Sequence, residues 1–198
     1  MYLSLYNTGG LVMDKTYSIN IGGLKRELPL CEVAPDFYIA ALIMFGDVEL
    51  TVKCAEELLK KAPEFDVIIT PEAKSIPIAY EMARLSGHYR YIVARKGIKV
   101  YMRDVIAKEV MSITTQRKQT LYLDGNDGEF MKGKRILIVD DVISTGESLA
   151  AMEALVKAVG GDIVGKMAVL AEGEAAMRED IIFLDKLPLF NGKGEIIL

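Results

Sequence analysis

One stretch of the 198-residue chain, beginning at Arg135, restricts the fold more than any other. Ile136–Val139 is a continuous apolar run of the length expected for a strand buried on both faces. Two adjacent carboxylates, Asp140 and Asp141, follow it, and after a short loop apolar residues recur at helical spacing until Gly160. This order of strand, acidic pair, loop and helix predicts one unit of an α/β fold, with a ligand site at the carboxyl end of the strand.

The loop after the acidic pair has the composition of a sugar-phosphate site. Its backbone N–H groups and hydroxyls can surround a phosphate, and Gly146 allows the backbone to approach closely. The two aspartates can accept hydrogen bonds from the hydroxyls of a ribose or from a metal-bound water. We therefore predict that a ribose 5-phosphate is bound by Asp140, Asp141, Val142, Ser144, Thr145, Gly146, Glu147 and Ser148. The chain has neither a Gly-Lys-Ser/Thr loop nor a G-x-G-x-x-G turn before a helix, which excludes these two nucleotide-binding motifs.

The segment Val139–Ser148 resembles the phosphoribosyl-pyrophosphate signature of type I phosphoribosyltransferases. It has the hydrophobic strand, the two acidic residues, the two aliphatic residues and the Ser-Thr-Gly-x-Ser loop of that signature. The resemblance implies an α/β fold with a mostly parallel five-stranded sheet flanked by helices, and a small hood formed by the N- and C-terminal segments. We expect a single domain over residues 1–198, with the core at about 60–172 and the hood at about 1–46 and 173–198.

Local patterns predict the other elements of this fold. Alternating apolar residues around Gly22-Gly23 predict a hairpin at 16–33, and the apolar run 37–44 is either a strand or a buried helix. Further predicted elements are a helix at 47–61, a strand at 66–70, a helix at 76–86, strands at 89–94 and 120–123, a turn at 124–128, and a last core strand at 163–171. Strands that alternate with helices indicate a parallel sheet.

A second loop, Glu72-Ala73-Lys74-Ser75, follows the first predicted core strand and precedes a helix. Loops in this position converge at one edge of a parallel sheet, so it should lie beside the phosphate loop. The resemblance implies that Glu72, Ala73, Lys74 and Ser75 form a pyrophosphate-binding loop with a non-proline cis peptide at Glu72–Ala73. Ser75 stands where the family usually has glycine, and a plain turn with a solvated Lys74 is the alternative.

Three cations, Arg95, Lys96 and Lys99, follow the second core strand. A short charge run is usually a solvated loop, but the Arg-Lys-x-x-Lys spacing resembles that of purine and orotate phosphoribosyltransferases at this place. The resemblance implies that these residues bind pyrophosphate, with Arg95 reaching the site of a neighbouring subunit. The predicted catalytic residues are Asp140, Asp141, Lys74 and Arg95.

The base pocket is less well defined by the sequence. Glu172 follows the last core strand and can accept a hydrogen bond from a base, although a solvated strand-end acid is an equal alternative. Arg26, Leu187 and Tyr17 are further guesses for base neighbours. The segment 101–118 resembles the mobile loop of the family, and its motif Ser112–Thr115 stands where adenine enzymes often carry a Glu-Tyr pair.

The resemblance implies transfer of a phosphoribosyl group from phosphoribosyl pyrophosphate to a purine base. Adenine is favoured because of the Glu-Ala-Lys loop and the Arg-Lys-x-x-Lys run; a 6-oxopurine is the alternative and orotate the third choice. It also implies Mg²⁺ as cofactor, held mainly by the substrate and in part by Asp140 and Asp141. A regulator that binds the same sugar phosphate without reacting is the competing class, and the missing Glu-Tyr pair and Ser75 are the departures that favour it.

Composition limits the partners. The net charge of −4 argues against a nucleic-acid surface, and the longest apolar run, 37–45, is too short to span a bilayer. The start, Met1 to Ser4, lacks the basic segment of a signal peptide, and two cysteines without metal-ligand spacing fit a reducing cytoplasm. With 51% hydrophobic residues, surplus apolar surface predicts a homodimer.

Overall fold

The computed structural model describes residues 12–111 and 118–198. The helices of this part are α1 (Val48–Leu59), α2 (Ile76–Leu85), α3 (Gly125–Met131) and α4 (Glu147–Ala158). The strands are β1 (Val12–Ile21), β2 (Leu24–Ala34), β3 (Phe37–Ala40), β4 (Val67–Pro71), β5 (Ile92–Ala94), β6 (Ile106–Met111), β7 (Lys118–Leu123), β8 (Arg135–Ile143), β9 (Asp162–Glu172), β10 (Ile182–Leu187) and β11 (Leu189–Phe190). A short 3-10 turn covers Gly173–Met177.

A five-stranded parallel sheet with the order β10-β9-β8-β4-β5 forms the core. Its central strand β8 contains the predicted apolar run, and Ile136, Leu137, Ile138 and Val139 are all 0% exposed. Helices α1 and α2 contribute to the hydrophobic cluster on one face of the sheet, and α4 contributes to the cluster on the other. The fold class predicted from the sequence is therefore confirmed.

The hood is a four-stranded antiparallel sheet with the order β1-β2-β3-β11. Three of its strands come from the N-terminal segment and one from the C-terminal segment, which confirms a hood built from both ends of the chain. Strand β10 lies in the segment assigned to the hood, but it pairs in parallel with β9, with Ile182 opposite Met167. The parallel sheet consequently extends to Leu187 and does not end at residue 172.

Two local predictions need correction. Residues 124–128 are not a turn, because Asp124 accepts a hydrogen bond from the Asn126 N–H at 2.9 Å and caps α3, which is anchored by the fully buried Met131. The predicted strand at 120–123 exists within β7, but β7 pairs with β6 as an antiparallel ribbon outside the parallel sheet, and Tyr122 also forms a single antiparallel bridge with Arg95, just after β5. Of the ambiguous run 37–44, the first four residues form β3. No helix in the described ranges is long and apolar enough to cross a membrane.

Candidate functional site

The two predicted ligand loops meet at one edge of the parallel sheet. β4 and β8 are neighbours in the sheet, so the loop after each strand emerges on the same side. The Nζ atom of Lys74, in the loop after β4, lies 2.5 Å from Oδ2 of Asp141 at the end of β8. This ion pair joins the proposed pyrophosphate and ribose subsites.

The acidic pair is buried at the bottom of the site. Asp140 and Asp141 are 6% and 5% exposed, and Oδ1 of Asp140 accepts a hydrogen bond from the Asp141 N–H at 2.8 Å. Burial raises the pKa of Asp140 well above its usual value, and the negative charge of Asp141 raises it further. Such a pair strongly favours a ligand that brings hydrogen-bond donors or positive charge to it.

The phosphate loop leads directly into the N-terminus of α4. Gly146 caps this helix with φ at +81°, a conformation that glycine adopts without steric cost. A small cavity of about 100 Å³ lies inside the loop, and it is lined by Asp140 and residues 142–149. The backbone N–H groups and the dipole of a helix N-terminus favour an anion at this position, which supports the predicted phosphate site.

The loop after β4 has the predicted cis peptide at Glu72–Ala73. The carboxylate of Glu72 contacts all three residues of the basic run. Its Oε1 atom lies 3.2 Å from Nη2 of Arg95 and 3.8 Å from Nζ of Lys99. Its Oε2 atom accepts a hydrogen bond from the Lys96 N–H at 2.9 Å. The Lys96 N–H and then the charges of Arg95 and Lys99 lower the pKa of Glu72. The structure thus places the basic run against Glu72 of the loop that carries Lys74, at the same edge of the sheet.

Ser75 is a departure from the family pattern with a clear structural role. Its side chain is buried, and its hydroxyl donates to the carbonyl oxygen of Pro71 at 3.0 Å. The same hydroxyl lies near Asp140 and partly counteracts the rise in the pKa of that carboxyl. A glycine at this position could make neither contact.

A larger cleft, with a volume of about 610 Å³, opens between the phosphate loop and the hood. Its polar wall contains Ser144, Thr145, Glu172, Glu174 and Arg178. Its apolar wall contains Val33, Phe37, Ile39, Leu189 and Leu198. Glu172 is 7% exposed, and this burial raises the pKa of its carboxyl, although the Ser144 hydroxyl and the Lys74 charge oppose the rise.

The other predicted base neighbours do not line this cleft. The Arg26 guanidinium is held by Asp47, at 2.7 Å, and by Glu49, at 2.8 Å, at the start of α1. Leu187 is 1% exposed within the hydrophobic core, and Tyr17 packs on Phe190 with ring centroids 5.1 Å apart. Arg26 has stronger partners elsewhere, and apolar burial accounts for Leu187. The Ser112–Thr115 motif lies outside the described residues.

Arg178 and the apolar wall were not predicted from the sequence. Arg178 follows the 3-10 turn after β9. Its Nη1 atom lies so close to Gly146 that a Cβ added to this glycine would be only 2.8 Å from it. A single arginine in an irregular segment has no pattern that separates it from a solvated one. The apolar wall is assembled from two segments that lie 150 or more positions apart in the sequence, and only the hood topology brings them together.

The described residues include no group of three or more His, Cys, Asp or Glu side chains arranged to hold a metal ion. Asp140 and Asp141 are the two carboxylates that the sequence predicts to contact a metal ion together with the substrate. Two carboxylates without a third protein ligand fit Mg²⁺ better than a metal that needs an all-protein cage.

Comparisons with known proteins agree with this geometry. Residues 49–192 match the family model of the phosphoribosyl transferase domain. A protein named hypoxanthine/guanine phosphoribosyltransferase from Methanosarcina mazei is 31% identical over 113 residues, which is 57% of this chain and 56% of that relative. One named adenine phosphoribosyltransferase from Thermotoga petrophila is 33% identical over 109 residues, 55% of this chain and 60% of that relative. The chain thus spans less than two thirds of the length of either relative.

A solved structure shares the fold. The crystal structure of adenine phosphoribosyltransferase from Thermoanaerobacter pseudethanolicus superimposes with a TM-score of 0.62. The match covers 88% of this chain and 97% of that one, at 21% sequence identity. At this identity the likeness supports the fold and leaves the choice of base open.

Proposed function

The chain belongs to the phosphoribosyl transferase domain family, and on that premise we propose that it transfers the 5-phosphoribosyl group of phosphoribosyl pyrophosphate to a purine base. In this reaction a ring nitrogen of the base bonds to C1 of the ribose, and the bond from C1 to pyrophosphate breaks. The observation that carries the proposal is the contact between Lys74 and Asp141, which joins the two ligand loops. The 610 Å³ cleft beside it has room for a base.

Each side of the site has a role in this reaction. Asp140 and Asp141 accept hydrogen bonds from the ribose hydroxyls, and their negative charge stabilises positive charge that develops on the ring. The N-terminus of α4 and the residues 142–148 bind the 5-phosphate. Lys74, Arg95, Lys96 and Lys99 receive the pyrophosphate, which competes with Glu72 for Arg95 and Lys99. A leaving group that gains charge strengthens its contacts with these cations as the bond breaks.

Mg²⁺ is the proposed cofactor, bound mainly through the oxygens of phosphoribosyl pyrophosphate. Asp140 and Asp141 are the residues that would hold it beside the substrate, since Mg²⁺ usually keeps several waters and uses one or two carboxylates. When bound, it neutralises part of the charge on the diphosphate. The test is to remove the metal ion: pyrophosphate release should stop when a chelator is added and return when Mg²⁺ is added in excess.

The deciding experiment measures pyrophosphate release from phosphoribosyl pyrophosphate and Mg²⁺, with adenine, hypoxanthine, guanine, xanthine and orotate tested separately. We expect release with at least one purine, and its loss in Asp141→Asn, which removes the carboxylate that holds Lys74. Release with orotate alone would contradict the choice of a purine. A shift of the melting temperature with phosphoribosyl pyrophosphate but no release with any base would identify a non-catalytic sensor of the sugar phosphate.

We also propose that the protein works in the cytoplasm as a homodimer. Cys31 and Cys54 are free thiols, which suits a reducing compartment. A groove of about 370 Å³ lies between α1 and α2, and beside it Val48 and Tyr80 are 72% and 55% exposed. Exposed apolar side chains of this kind favour contact with a second subunit. Light scattering should give twice the mass of the chain, and a monomer would contradict the dimer.

A further inference from the structure

The guanidinium of Arg178 is held in a fixed orientation by its neighbours. Its Nε donates to Oδ1 of Asp180 at 2.9 Å and its Nη2 donates to Oδ2 at 2.8 Å, which makes the pair bidentate. The carboxylate of Asp180 also accepts a hydrogen bond from Nζ of Lys166 in β9. The side chains of Arg178 and Lys166 are only 33% and 17% exposed, so water competes less for these contacts than it does on an open surface.

The remaining guanidinium nitrogen of Arg178, Nη1, lies against the phosphate loop at Gly146. It occupies the space that a side chain at position 146 would need, since a Cβ there would be 2.8 Å from it. Gly146 sets where α4 begins, because it is the N-cap and its carbonyl oxygen accepts a hydrogen bond from the Ala150 N–H at 2.8 Å. Arg178 therefore packs on the residue that fixes the direction of the first N–H groups of α4.

The same network reaches α4 at a second point. Nζ of Lys166 lies 3.2 Å from Oε1 of Glu153, which is seven positions after Gly146 and about two helical turns further along. The contacts that run from Arg178 through Asp180 and Lys166 to Glu153 thus touch both ends of the first two turns of α4. Two such points fix the position of the helix end and the direction of the helix axis relative to β9.

The network lies beside the phosphate site but outside it. The phosphate-loop cavity is lined by Asp140 and residues 142–149, and Arg178 is not one of its lining residues. Several N–H groups of a helix N-terminus can donate to one phosphate, and each of these hydrogen bonds weakens steeply with distance and angle. A small displacement of Gly146 would consequently weaken several of them together.

We propose that Arg178 is a positioning residue for the phosphate loop, held by Asp180 and Lys166 against Gly146 so that the start of α4 keeps the arrangement that binds the 5-phosphate. The inference rests on the proposed function and adds a residue to its phosphate site. Arg178 acts through the loop and makes no bond to the phosphate. Its contribution therefore depends on how it is held and not on its charge alone.

The first test measures the dissociation constant of ribose 5-phosphate by calorimetry on the full chain. Arg178→Met keeps a long apolar stem but loses the bidentate pair with Asp180, and this constant should rise about tenfold. KM for phosphoribosyl pyrophosphate should rise in parallel, whereas KM for the base should change little. The inference would be overturned if the dissociation constant stayed at the wild-type value, or if only KM for the base rose.

The second test separates position from charge. Asp180→Asn leaves the positive charge of Arg178 in place, but the amide can accept from only one of its two nitrogens, so the guanidinium is held less firmly. The dissociation constant of ribose 5-phosphate should rise by about three- to tenfold, and the double variant Arg178→Met/Asp180→Asn should bind no more weakly than Arg178→Met. Unchanged or tighter binding in Asp180→Asn would overturn the inference, because a freed cation would then act on the phosphate directly.

Arg135→Met is the matched control. Arg135 binds Asp66 through the same two nitrogens, Nε at 3.2 Å and Nη2 at 2.9 Å, but it lies at the start of β8, at the opposite end of this strand from the phosphate loop. Its loss should leave the dissociation constant of ribose 5-phosphate unchanged, even where the melting temperature falls. Equal weakening in both variants would overturn the role of Arg178, because the loss would then follow from stability alone.

The inference and the proposed function fail in different ways. A wild-type protein that binds no ribose 5-phosphate has no sugar-phosphate site, which would overturn both together. Pyrophosphate release and ribose 5-phosphate binding that are both unaffected by Arg178→Met would overturn only the inference. Binding that depends on Arg178 without any pyrophosphate release would support the role of Arg178 and count against the reaction.

Discussion

The two walls of the cleft differ in the chemistry of their side chains and in the way the chain assembles them. The core wall, that is, the polar wall of the cleft together with the lining of the phosphate-loop cavity, carries charge and hydroxyl groups, and most of its residues lie within 140–149. The hood wall is the apolar wall of the cleft described above. It combines residues from β2, β3 and β11 with Leu198. In the proposed reaction the sugar and its phosphates contact the core wall through directional, charged groups, whereas the flat base contacts the hood wall through apolar surface.

This difference separates the two kinds of binding energy. Contacts to developing charge act most strongly in the transition state, so changes in the core wall should lower kcat. Apolar contacts to the base are similar in the ground state and the transition state, so changes in the hood wall should raise KM for the base. Single substitutions on each wall can test whether kcat and KM for the base separate in this way.

The largest effect is expected for Asp140→Asn in the core wall. The amide oxygen can still accept from the Asp141 N–H, but the amide cannot ionise when positive charge develops on the ribose, so kcat should fall by about 10²- to 10³-fold. Because burial and Asp141 raise the pKa of Asp140, its ionised form is disfavoured in the folded protein. The melting temperature at neutral pH should therefore stay constant or rise, and a large drop would show that Asp140 is structural.

The second prediction concerns the backbone of the core wall. Gly146→Ala places a Cβ at φ +81° and 2.8 Å from Nη1 of Arg178, so both the turn and the contact are disturbed. Binding of phosphoribosyl pyrophosphate should weaken by about tenfold or more. Gly87→Ala is the matched control, because φ is +72° there and no atom lies within 4 Å of the added Cβ. Equal losses of stability with weakened binding only in Gly146→Ala would support the contact.

The same contrast explains what could be predicted from the sequence. Phosphate and ribose chemistry requires particular residue types at fixed spacing, so the segment after Val139 was sufficient to locate the core wall. The parallel sheet was predictable as well, because each strand is a short apolar run that alternates with a helix. Even the cis peptide at Glu72–Ala73 followed from the resemblance in four residues.

The hood wall had no comparable signal. Many apolar residues could line a flat surface, and the pairing of β11 with β3 depends on a contact between residues about 150 positions apart. Arg178 was missed because its place in the cleft depends on contacts with Asp180 and Gly146, and Gly146 is brought to it by the topology and not by the local sequence. Residues 124–128 were misassigned because glycine and asparagine usually mark turns, whereas the Asp124 cap and the burial of Met131 stabilise a helix here.

The third prediction tests the hood wall. Phe37→Ala removes the aromatic ring from the apolar wall and should raise KM for the base by about tenfold, with little change in kcat or in KM for phosphoribosyl pyrophosphate. Phe130→Ala is the control, since Phe130 is also half-buried but packs under Arg90 and Lys134 away from the cleft. A fall in kcat for Phe37→Ala at constant KM would contradict the separation of the two walls.

The smallest effect is expected where the walls meet, at Glu172. Burial raises the pKa of this carboxyl, so the folded state prefers the protonated form, and its contribution to stability is present at low pH and lost as the pH rises through the folded-state pKa. Glu172→Gln cannot lose stability in this way. The melting temperature of the variant minus that of the wild type should therefore increase by a few degrees between pH 5 and pH 8. Glu174→Gln, an exposed acid of the same cleft, is the matched control. If the difference in melting temperature between Glu172→Gln and the wild type stays constant with pH, the hood does not desolvate this carboxyl.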